Sequence, residues 1–162
     1  MGKKNALFVI VSCMVLVFAA GSIYAGTEAK DVIKMENPAY KKHKKKIVTF
    51  SHKKHNEEYK AGCGECHHDD KGKPLDNLKA GDDVKGCIEC HKKPGQIPGK
   101  MKKALKAKKT PKAEQKKAKL EYHAEAIHYN CIGCHKVYNK KNKTKAAPAT
   151  CTKCHPKGKK KK

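Results

Sequence analysis

The 162-residue sequence has no arginine and no tryptophan. Aliphatic and aromatic residues are scarce once the first 25 residues, read below as a leader, are set aside. The remaining 137 hold only 15 Ile, Leu, Val and Phe, about 11%. A chain with less than roughly 20% of these residues and a high net charge buries too little apolar surface to offset the entropy of ordering it. This excludes an ordinary globular domain packed on its own side chains, so another component must supply the core if the chain folds. Acidic residues are also few. Against 39 Lys there are 15 Asp and Glu, for a formal charge of +24, or +22 without the leader's two lysines. The missing arginine removes the bidentate contacts that read phosphates and base edges. Nucleic acid is therefore not an expected partner.

Cysteine and histidine are abundant by contrast. Of nine cysteines, Cys13 lies in an N-terminal apolar run. The other eight form four pairs, each followed directly by histidine: Cys63-Gly64-Glu65-Cys66-His67, Cys87-Ile88-Glu89-Cys90-His91, Cys131-Ile132-Gly133-Cys134-His135 and Cys151-Thr152-Lys153-Cys154-His155. C-x-x-C alone is also a zinc or redox spacing. Four identical C-x-x-C-H units are the attachment pattern of c-type haem, with two thioethers to the porphyrin and the next histidine on iron. Four covalent haems are expected.

Ten histidines test that count. His67, His91, His135 and His155 are the motif ligands. Four of the other six, His43, His52, His55, His68, His123 and His128, would suffice to fill the opposite iron faces. Neutral imidazole is a standard axial ligand. His52 and His55, three apart, share one face of a helical turn, yet each is free to serve a different haem. His68 follows His67 and points away from it, so it is available only to a neighbouring iron. His128 lies three residues before Cys131. His123 competes for that role, and is otherwise a surface or propionate-contacting histidine. His43 sits within residues 41–46, five of which are Lys, and reads as solvated.

The order V-x-F-x-H-x-x-H (Val48 to His55), then C-x-x-C-H-H (Cys63 to His68), then three more C-x-x-C-H units with a lone His before the third, resembles the class III multihaem cytochromes c. These are low-potential tetrahaem carriers of anaerobic, often sulfate-reducing, bacteria. The resemblance spans about residues 47–155. It implies the axial pairs His52 with His67, His68 with His91, His55 with His135, and His128 with His155. It also implies a hydrogenase or formate dehydrogenase as electron donor, and membrane or outer-surface cytochromes as acceptor. Two features depart from the family: many members space the second and fourth motifs as C-x4-C-H, and residues 92–130 are long and Lys-rich here.

At the N-terminus, Lys3 and Lys4 precede 20 uncharged residues, from Ala6 to Ala25. This reads as a signal peptide for the general secretory route, cleaved after Ala25 or Gly21. The length also suits an uncleaved membrane anchor. Residues 26–46 are a polar, Lys-rich lead. Residues 47–156 form the tetrahaem domain, with a Lys-rich helical insertion at about 99–120, and residues 157–162 are a Lys tail. Residues 47–50 suggest a strand. Thr110-Pro111 reads as a helix start, and Ala113, Leu120, Ala124 and Ile127 recur at helical spacing up to His128.

The expected fold is small, mainly helical and irregular, with little secondary structure beyond a short N-terminal β-hairpin. Four haems form its core, and thioethers and iron–histidine bonds staple the loops. The expected function is a periplasmic, low-potential electron carrier without catalysis of its own. Two histidines per iron leave no site for substrate and favour a lower potential than a His/Met pair. The lysines would steer encounter with acidic redox proteins. Two alternatives are carried. One is a multihaem reductase with one open iron, if His128 is not a ligand or if Met101 or water takes a site. The other is a subunit of a membrane or extracellular cytochrome assembly, held by an uncleaved N-terminal helix.

Overall fold

A computed structural model describes residues 30–156; the leader at 1–25 and the tail at 157–162 lie outside the described residues. Two short strands, β1 (Val32–Lys34) and β2 (Thr49–Ser51), pair antiparallel with Ile33 opposite Phe50. Their β-branched and aromatic residues suit a pleated surface. The bond from Met35 N to Val48 O, 2.8 Å, carries the pairing one step further. The strand thus falls one or two residues later than residues 47–50 suggested, and its partner comes from the polar lead.

Helical segments are the other regular elements, set among long irregular stretches. A π-helical segment, Lys54–Glu58, and a 3-10 turn, Cys63–Glu65, follow β2. Then come α1 (Cys87–Cys90), α2 (Gly99–Ala107), α3 (Lys112–Leu120), α4 (His123–Lys141) and α5 (Cys151–Cys154). The Lys/Ala composition of α2 and α3 favours helix. Between them Lys109 takes a left-handed φ of 51°, and Thr110 precedes a proline, which disfavours helical backbone.

The helix expected to run from residue 110 to His128 is interrupted. Tyr122 is extended, at φ −93° and ψ 122°. It bridges to Lys92 and Lys93. Lys93 N bonds to Glu121 O at 3.1 Å, His123 N to Lys93 O at 2.8 Å, and Ala124 N to Gly95 O at 3.0 Å. Three backbone bonds to the loop after the second motif outweigh one more helical turn. α4 then restarts, runs past His128 and contains the whole third motif. α1 and α3 both pack on α4. Among the described residues only Ile97, Ala126 and His123 are buried, in keeping with the composition.

Candidate functional site

Each motif occupies about one helical turn. His67 N bonds to Cys63 O at 2.8 Å, His91 N to Cys87 O at 2.9 Å, and His155 N to Cys151 O at 2.7 Å. The third motif lies inside α4. Helical winding puts the two cysteines, three apart, on one face, with the histidine stacked one turn beyond the first cysteine. That places two sulfurs and one imidazole along one edge, as attachment to a porphyrin requires.

Cysteines of the other three motifs lie within electrostatic reach of Cys131. Desolvation first, then Cys66, Cys87, Cys154 and Cys134, push the Cys131 thiol up to about 11. Its side chain keeps solvent access, but protein crowds the sulfur. Desolvation and then Cys134, Glu65, Cys87 and Cys63 likewise raise Cys66. Such thiols stay protonated before attachment; as thioethers they no longer titrate.

The histidines pair across the fold. Ring centroids are 6.4 Å apart for His52 and His67, 6.0 Å for His68 and His91, 6.0 Å for His55 and His135, and 6.2 Å for His128 and His155. An iron between two imidazoles needs about 6 Å between ring centres: two metal–nitrogen bonds of about 2 Å and two ring radii of about 1.1 Å. All four separations fit the group. Three pairs cross at 65° to 90°, and His55 with His135 lies nearer parallel, at 25°.

Hydrogen bonding orients the rings as well. Nδ1 donates to a backbone carbonyl in His55 (Ser51 O, 2.9 Å), His68 (Asp69 O, 2.7 Å), His135 (Pro148 O, 2.7 Å) and His155 (Lys46 O, 2.7 Å). His91 Nδ1 donates to Leu120 O. A hydrogen held on Nδ1 leaves the Nε2 lone pair for a metal. Desolvation and then neighbouring His52 and His68 lower the pKa of His67; desolvation and then His155 lower that of His128, against an opposing pull from Glu125. Both shifts favour the neutral imidazole that ligation needs.

His123 does not face a motif histidine in this way. It is buried, and its Nδ1 meets Tyr40 Oη at 2.8 Å. His43 stacks on the Tyr40 ring, with centroids 4.9 Å apart. Met101 takes a weak bond from Tyr122 Oη to its sulfur, 3.6 Å. Sequence reasoning missed Tyr40, the five carbonyl acceptors, and Gln96, whose side-chain amide lies 3.3 Å from His128 Nδ1. Only the acceptor of His68, one residue away, and that of His55, one turn back, had a local signal. Among the described residues no helix is long and apolar enough to cross a membrane.

The family model described as the class III cytochrome C family matches residues 28–155, most of the chain and all four motifs. No curated protein and no solved structure matches.

Proposed function

The chain belongs to the class III cytochromes c, a multihaem electron-carrier family with covalently bound haem, and from that premise we propose a low-potential tetrahaem carrier with two histidines on every iron. The observation that carries this reading is the set of four imidazole pairs at 6.0 to 6.4 Å. Cys63 and Cys66, Cys87 and Cys90, Cys131 and Cys134, and Cys151 and Cys154 would hold the four haems. His67, His91, His135 and His155 would take one face of each, and His52, His68, His55 and His128 the other. When bound, haem supplies one-electron exchange between ferric and ferrous iron.

The chain's own residues do the rest. Histidine on both faces excludes substrate from the metal, which separates a carrier from a reductase. Carbonyl-bonded Nδ1 atoms fix ring orientation and raise ligand basicity. Pairing two imidazoles, rather than imidazole and thioether, favours the ferric state and a low potential. Cysteines gathered around Cys131 bring the attachment edges together, which favours transfer from one centre to the next.

The lysines fit an acidic redox partner. Five of the six residues at 41–46 are Lys. This strap is held at one end by the bond between Tyr40 and His123, and at the other by Lys46 O on His155. It therefore sets positive charge beside one proposed iron ligand. The partners suited to it are acidic redox proteins, with a hydrogenase-type or formate-dehydrogenase-type donor and a cytochrome acceptor. The compartment is the periplasm, reached through the N-terminal leader.

Spectroelectrochemical titration of the haem-loaded protein tests the reading. Four one-electron steps, all lower than those of His/Met cytochromes, are expected. A step that shifts on adding nitrite or sulfite would instead indicate an open iron and the reductase alternative.

A further inference from the structure

His128 differs from five of the other proposed ligands. His55, His68, His91, His135 and His155 give their Nδ1 hydrogens to backbone carbonyls. His128 Nδ1 instead faces a side-chain amide, that of Gln96, whose Nε2 lies 3.3 Å away. With Nε2 on iron, Nδ1 carries hydrogen and needs an acceptor. A half-turn of the Gln96 amide about its last side-chain bond exchanges Nε2 for Oε1 at the same place and would supply that acceptor once the iron is bound.

The chain holds Gln96 in place. Gly95, at φ +84°, makes a turn that a side chain would strain. Its carbonyl accepts Ala124 N at 3.0 Å, one turn before His128 on α4. Ile97, on the other side of Gln96, is 5% exposed. The flanking residues are thus anchored, and the amide between them is presented to the first turns of α4.

From this geometry we infer that Gln96 is a positioning residue that sets the electron donation of His128, and so tunes the potential of the single iron that His128 shares with His155. It rests on the bis-histidine reading. A hydrogen bond from Nδ1 gives imidazole partial imidazolate character, which stabilises ferric iron. A backbone carbonyl offers that bond whatever the sequence. A side-chain acceptor can be strengthened or removed by one substitution, so this centre alone is tunable through residue 96.

The test uses the haem-loaded protein and two variants, Gln96→Leu and Gln96→Glu. Low-spin, six-coordinate spectra are checked first, and the four potentials are then resolved by titration. The leucine variant lacks the acceptor, so one of the four steps should rise. The glutamate variant is a stronger acceptor, so the same step should fall. Each change is expected to be on the order of tenfold in the reduction equilibrium, about 59 mV for one electron. If Gln96→Leu frees the ligand and opens one iron, the positioning role holds and the glutamate variant still reads the tuning. Six-coordinate variants whose four steps stay in place, or move in the same direction in both, overturn the inference. A wild-type protein with an open iron at this pair would instead overturn the ligation reading, a result visible before any variant is made.

Discussion

Replacing Tyr40 by Phe removes one oxygen from a contact that ties the Lys strap to α4. The Tyr40 hydroxyl lies 2.8 Å from Nδ1 of His123, which is 8% exposed. The ring would stay in place, because His43 stacks on it at an interplanar angle of 14°. The variant thus leaves a buried polar nitrogen without its partner while changing little volume. Such a loss costs about 1–3 kcal/mol. For a chain of this size that is roughly 3–12 °C in Tm. The assay is thermal or guanidinium unfolding of the haem-loaded protein, followed by haem absorbance and far-UV circular dichroism. Tyr138→Phe is the control, since Tyr138 is half exposed and surface changes stay within about 0.5 kcal/mol. Equal midpoints for Tyr40→Phe, Tyr138→Phe and wild type would refute the claim that this contact anchors the strap.

Further outcomes follow from the same structure. Burial first, and His91 second, hold the His123 pKa below its usual 6.5. The unfolded chain therefore binds the proton more readily, and stability falls as pH drops below about 6.5; in unfolding midpoints measured from pH 7 to 5, His123→Gln should remove part of that fall. Ile97→Ala opens space at the most buried apolar side chain and should cost about 2–4 kcal/mol in the same assay. His68→Met should raise one of four potentials and leave a six-coordinate spectrum, since thioether ligation favours ferrous iron; no moved step would refute that ligand assignment. Electron transfer with an acidic partner should slow by an order of magnitude or more as salt is raised. Changing Lys42, Lys44 and Lys45 to Gln should flatten that salt dependence.

What was legible in the sequence was local. C-x-x-C-H is a contiguous signal, so the four attachment units could be named from the sequence, while their winding into about one turn each is visible only in the structure. The histidine count left the partners open, and the pairs came from family resemblance, because which rings meet depends on the whole chain path. His128 and His155 are brought together only after α4 restarts at His123. That restart could not be read from periodicity, since Leu120, Ala124 and Ile127 keep helical spacing through the break. It is imposed by the backbone of residues 92–95. The acceptors of Nδ1 were hidden for a related reason: any residue carries a carbonyl, and Lys46 O reaches His155 from 109 positions away. Gln96 was equally silent, being one polar loop residue 32 positions from His128.

Ligation of every iron by two histidines of this chain is the proposal on which the carrier reading rests. Carbon monoxide added to the fully reduced, haem-loaded protein tests it directly, read in the visible spectrum. No spectral change is expected, because no face of any iron would be open and no ligand readily displaced. A change of about one-quarter of the haem signal would contradict it, revealing one iron with a free or weakly held site.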